Sequence, residues 1–185
     1  MNDRSRPRLA GIAAYYAVAL CVFAVDFVSK KIVEYGLALN DRIDVFGNGL
    51  LIVTSIRNPG AAFGMMQQQR WLFLLLSLAV VAGVAWYFHR SFRSGRRLLP
   101  LALSLVLGGA VGNFLDRLLF GQVVDFLQFN FGRHALPIFN LADTGIVVGV
   151  VLLIADAVRS VRQESVKHGN GERPNGEPSR ERQPI

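Results

Sequence analysis

Trp71–Phe88 reads WLFLLLSLAVVAGVAWYF, without one Asp, Glu, Lys or Arg. Such a run is unsuited to a helix facing water, and its length matches the ~30 Å of hydrocarbon that a helix crosses at ~1.5 Å per residue. Leu9–Val25 and Leu98–Leu115 are equally free of charge. Three spans follow. A fourth, Ile138–Val158, is apolar apart from Asn140, Asp143 and Asp156, and it spans provided those groups lie near its ends or face the bundle. The expected fold is a membrane all-α protein, a four-helix transmembrane bundle with spans at about 9–28, 71–88, 98–118 and 138–158.

Basic residues orient the bundle, because Lys and Arg of short loops stay on the cytoplasmic side. Arg4, Arg6 and Arg8 precede the first span, Arg90, Arg93, Arg96 and Arg97 lie between the second and third, and Arg159, Arg162 and Lys167 follow the fourth. Both termini are expected inside, with Ser29–Arg70 and Asp116–Pro137 on the outer face. This asymmetry accounts for the formal net charge of +7 on 185 residues. No basic stripe interleaved with aromatics argues for nucleic acid. The single cysteine, Cys21, reads as a small apolar side chain. Bulky Leu20 before it argues against a cleaved leader, and the first span is expected to be retained.

Working outward, the first outer loop carries strand-like runs at Ile43–Phe46 and Leu50–Ile56 around Gly47-Asn48-Gly49, which predicts a small extracytoplasmic β-sheet over about 41–64. Arg57-Asn58-Pro59-Gly60 continues into Ala61-Ala62-Phe63-Gly64 with turn chemistry. The membrane domain is expected over 1–158. The polar segment 159–185 reads as a disordered cytoplasmic tail.

The polar residues left in or beside the spans need a reason. Asp26 and Lys30, spaced i, i+4, suit an interfacial ion pair. Asn113, Asp116 and Arg117 share a helical face and read either as a polar clasp between helices or as part of a site. Asp125 and Asp143 sit among apolar neighbours near the same outer surface. Desolvation and mutual repulsion raise carboxyl pKa values in such settings, so that one proton is shared. That state serves aspartic peptide hydrolysis; alternatively each carboxylate pairs with Arg117, Arg133 or Lys30. His89, His134 and His168 fall on different sides of the membrane, so no metal site or Ser/His arrangement is expected, and no cofactor.

Together, Asp26-x3-Lys30, Arg57-Asn58-Pro59-Gly60-Ala61-Ala62-Phe63-Gly64, Gly108-Gly109-Ala110-x-Gly112-Asn113-x2-Asp116-Arg117, Val123-Val124-Asp125-Phe126 and Phe139-Asn140-x-Ala142-Asp143 resemble, in unbroken order, the lipoprotein signal peptidase family, bacterial signal peptidase II. The resemblance implies an intramembrane aspartic endopeptidase acting on prolipoproteins that carry diacylglyceryl-cysteine, cleaving immediately before that residue among membrane lipids. It implies Asp125 and Asp143 as catalytic dyad, and Asp26, Lys30, Asn58, Gly60, Arg117 and Asn140 as supporting or substrate-contacting positions. Asn113 and Asp116 match motif residues read as structural. Thr144 stands where serine is common and keeps the hydroxyl. The alternative is a small four-span proton-coupled transporter using Asp116, Asp125 and Asp143 as a relay, although no inverted repeat is visible.

Overall fold

The computed structural model describes residues 9–60 and 70–171. It contains helices α1 (Leu9–Gly36), α2 (Arg70–Ser91), α3 (Leu98–Phe120) and α4 (Leu141–Gly171), and strands β1 (Arg42–Asp44), β2 (Leu51–Asn58), β3 (Val123–Phe131) and β4 (His134–Ala135). Each helix includes a stretch long and apolar enough to cross a membrane. Large apolar side chains such as Leu20, Ile32, Trp71, Leu75, Val151 and Ile154 point outward. An apolar exterior this extensive suits lipid and not water.

Helix α3 is central and packs against α1, α2 and α4. Its small residues make this possible. A Cβ added at Gly108 would lie 2.4 Å from the Ala19 carbonyl oxygen, and one at Gly109 2.4 Å from that of Ala142, so α1 and α4 approach α3 backbone to backbone. Helix α3 ends at Gly121, whose φ of 75° and N–H bond to the Arg117 carbonyl (3.0 Å) form a left-handed cap that turns the chain into β3.

The helices depart from the expected spans at their ends. Helix α1 continues to Gly36, so Lys31 and Glu34 are helical instead of belonging to the outer loop. Helix α4 starts at Leu141 and not at Ile138, because Phe139 exchanges backbone hydrogen bonds with Leu127 (2.8 and 2.9 Å). At its far end α4 runs to Gly171, correcting the expectation of disorder from Arg159. Arg159–Lys167 contains neither Gly nor Pro, so nothing in it interrupts the helical ladder. The rest of the expected tail, and Ala61–Gly64 of the outer-loop motif, lie outside the described residues.

The sheet is antiparallel, ordered β1-β2-β3-β4. The expected hairpin is present, its turn held by the Asp44 carboxylate accepting from the N–H groups of Phe46, Gly47 and Gly49. Half the sheet, however, comes from the second outer segment. The β-branched and aromatic run Val123–Phe131 was the available signal. At the other end of the bundle, Phe88, Phe92, Leu99 and Leu103 form an apolar cluster, and Asp156 pairs with Arg96 from the α2–α3 loop, which resolves how α4 tolerates that carboxylate.

Candidate active site

Where the sheet meets the outer ends of α1, α3 and α4, the sequence-predicted residues converge. Asn140 is the N-cap of α4. Its Oδ1 accepts from the Asp143 N–H (2.9 Å), while Asp143 Oδ2 accepts from the Asn140 N–H (3.2 Å). This is a reciprocal capping box, with Asp143 in the first turn, where a carboxylate is favoured by the helix dipole. The Asn140 amide, facing the other way, donates to Asp125 Oδ1 (2.7 Å). One asparagine therefore touches both aspartates.

Asp125 stands on β3, not in a span, and is 4% exposed. Its second oxygen accepts from Asn58 Nδ2 (2.7 Å). Asn58 is itself fixed by Gly60, whose N–H donates to Asn58 Oδ1 (2.9 Å). Gly60 must be glycine: its φ is 109°, and a Cβ would lie 2.7 Å from the Phe73 ring. Asp143 Oδ1 accepts from Asn113 Nδ2 (2.8 Å). All four carboxylate oxygens thus receive an uncharged amide N–H. Among the described residues no cation lies within ion-pair distance of either carboxylate, so the pairing with Lys30, Arg117 or Arg133 left open by the sequence is not made. Burial foremost, and the nearby Asp143 charge after it, push the Asp125 carboxyl up to about 6 against the opposing amide bonds.

Lys30 serves a layer beneath. Its ammonium, buried with the rest of the side chain, meets Asp26 (2.7 Å), Asp116 (2.8 Å) and Asn113 Oδ1 (3.0 Å), three acceptors for three protons. Asp26 Oδ1 also accepts from the Ala142 N–H (2.8 Å), satisfying a free amide in the first turn of α4 from across the bundle. Gly112 makes room for it, since a Cβ there would lie 2.7 Å from Asp26 Oδ2. Asn113, with its Oδ1 on Lys30 and its amide on Asp143, is the link between this layer and the aspartates.

Arg117 departs from expectation. Asp116 is taken by Lys30, and Arg117 instead points toward α2, donating from Nη1 to Ser77 Oγ (3.3 Å) and to the Asn113 carbonyl (3.3 Å). Its buried Nε has no acceptor among the described residues, and the carboxylates it feels most are Asp143 and Asp125. The i, i+1 spacing of Asp116 and Arg117 points them in different directions around α3, which is why one helical face could not serve both. Ser77, the one serine in the apolar run Trp71–Phe88, was missed; that was its only sequence signal. Among the described residues no group of His, Cys, Asp or Glu is arranged to hold a metal ion.

The family model for signal peptidase (SPase) II matches residues 18–159. The chain belongs to the signal peptidase II family. Curated relatives named lipoprotein signal peptidase include those of Bacillus pumilus (strain SAFR-032), 42% identical over 75% of this chain and 88% of the relative, and of Geobacillus thermodenitrificans (strain NG80-2), 45% identical over 75% and 86%. Two solved structures of a bacterial membrane enzyme are similar, one at TM-score 0.74 and 26% identity, covering 96% of this chain and 100% of the other. The second has TM-score 0.71 and 30% identity, covering 83% and 96%. With four apolar helices, this signal peptidase II family member is a multi-pass membrane protein and a peptidase. The matched stretch contains every residue of the site just described.

Proposed function

We propose that the protein is an aspartic endopeptidase that removes signal peptides from prolipoproteins, cutting immediately before the diacylglyceryl-modified cysteine. The carrying observation is that Asp125 and Asp143 share Asn140 and are held by neutral donors only. A cation bonded to either would fix it as a carboxylate. Amides orient both while leaving the pair able to share one proton.

Asp125, the member whose ionisation burial opposes, carries that proton, and Asp143 acts as base. A water molecule loses a proton to Asp143 as its oxygen attacks the scissile carbonyl carbon, and the carbonyl oxygen takes the Asp125 proton. Collapse of the resulting diol returns a proton to Asp125, and Asp143 passes its own to the leaving nitrogen. Arg117, whose Nε has no acceptor among the described residues, is suited to hold a peptide carbonyl, and Asn58 and Gly60 offer a cleft edge to extended backbone. Asp26, Lys30, Asn113 and Asp116 support the ends of α1, α3 and α4 beneath the dyad. The positive-inside pattern supports a cytoplasmic-membrane location with both termini inside and the dyad near the outer leaflet, where the substrate's acyl chains stay in lipid.

The test is incubation of purified protein with a diacylglyceryl-modified prolipoprotein, its unmodified precursor, and the Asp125→Asn variant. Cleavage of the lipidated form alone, lost in the variant, is the expected result; an intact substrate rejects the reading. A proton-coupled transporter would leave both precursors intact, and family membership does not favour it.

A further inference from the structure

Strand β2 carries one residue too many. Val53 faces Leu127 and Ile56 faces Asp125, so β2 uses three steps where β3 uses two, and the surplus forms a bulge at Thr54 and Ser55. Both are buried and held to the preceding loop: Thr54 Oγ1 donates to the Asp41 carbonyl (2.6 Å), and the Asn40 N–H to the Ser55 carbonyl (2.8 Å). Because side chains alternate along a strand, a one-residue shift exchanges which of two neighbours shares a face with a given partner. With the bulge, Asn58 lies diagonal to Asp125 on one face and reaches it. Without it, Arg57 would take that place and set a guanidinium on the dyad.

Arg57 is instead bonded to Glu34 in the last turns of α1. Glu34 is largely buried, with a side-chain exposure of 14%, and its other oxygen receives Lys31 (2.6 Å). Lys31 in turn lies 5.1 Å from the centre of the Phe120 ring at the end of α3. One carboxylate therefore ties β2 to two helix ends, next to the residue that touches Asp125.

We propose that Glu34 is a positioning residue for the hydrolysis: by holding Arg57 away from the dyad it locks the bulged register of β2 that sets the Asn58 amide on Asp125. This rests on the peptidase reading above. The charged groups that bear on Asp125 are Asp143, Lys30 and Arg117, and those on Glu34 are Arg57 and Lys31; none is shared. Glu34 thus reaches Asp125 through Asn58 and not through space.

The experiment measures cleavage against pH for full-length protein, Glu34→Gln, Asn58→Ala and the double variant, with Arg57→Gln as the approach from the partner side. A loosened Asn58 stabilises ionised Asp125 less, so Asp125 keeps its proton to higher pH and the alkaline limb moves upward. Glu34→Gln and Arg57→Gln are each expected to lower kcat roughly tenfold with KM changed much less, as misplacement of a reacting group does. Both shift the alkaline limb in the direction of Asn58→Ala, and Glu34→Gln adds nothing on the Asn58→Ala background. An unshifted limb at normal folded yield, or losses that multiply in the double variant, overturns the proposal. Should Glu34→Gln fail to fold, Arg57→Gln decides by the same criteria. Absence of cleavage by the unaltered protein would reject the peptidase reading instead; carbon NMR titration of the Asp125 carboxyl then tests the lock alone, an upward shift in Glu34→Gln supporting it and no shift overturning it.

Discussion

Asn140 and Asp143 cap one another at the start of α4, and the same Asn140 side chain donates to Asp125 (2.7 Å). The helix terminus and the dyad are thus one construction. Asn140→Ala is expected to cost about 0.5–2 kcal/mol of stability for the lost cap and to lower kcat far more than that loss of folded protein explains. Melting in detergent beside single-turnover cleavage separates the two. Full activity in Asn140→Ala would show that the bridge is not needed.

Asp125→Asn and Asp143→Asn should each abolish cleavage while the protein still inserts, because each removes a titrating group at nearly constant shape. Product formation is compared at equal membrane abundance. A variant cleaving near the normal rate removes that residue from the chemistry.

Raising the Asp125 carboxyl from 3.8 to about 6 has a calculable sign. The folded state binds more protons than the unfolded between those values, so stability falls as pH rises through that window, by about 3 kcal/mol in all. Melting of the unaltered protein and of Asp125→Asn, followed from pH 4 to 8, should show this downward slope only when Asp125 is present. Activity should follow a bell with two apparent pKa values belonging to the pair.

Lys30 and Arg117 should fail in opposite ways. Lys30→Met leaves Asp26 and Asp116 buried without their cation, at a cost of roughly 3–5 kcal/mol, and should collapse the yield of folded protein. Arg117 makes no ion pair among the described residues, so Arg117→Ala should keep most of the stability and lose activity, chiefly in KM. Thermal stability and kinetics of the two variants check this; an unstable Arg117→Ala with normal KM would return Arg117 to a structural role.

Truncation after Val166 should leave cleavage at the full-length rate, since the removed segment is polar and the end of α4 is a full helix length from Asp143. A much slower truncated enzyme at equal abundance would give the segment a role in activity.

Four spans, and the residues gathered at their ends, were fixed by composition alone, because hydrocarbon admits no charge that is not paired or placed near an interface. Asp125 and Asp143 stood out for the same reason, as carboxylates among apolar neighbours that need partners, whereas Asn58 and Asn140 were marked by the resemblance of the motifs that hold them. Which partner each would choose was not legible. Lys30 takes Asp116, and Arg117 turns to Ser77, because three helices crossing close to the glycines of α3 decide which side chains meet. The bulge at Thr54 and Ser55 is likewise silent in a local pattern, since it exists only against β3. Whether Asn58 or Arg57 faces Asp125 depends on that one-residue shift, a long-range pairing that alternation along β2 cannot specify.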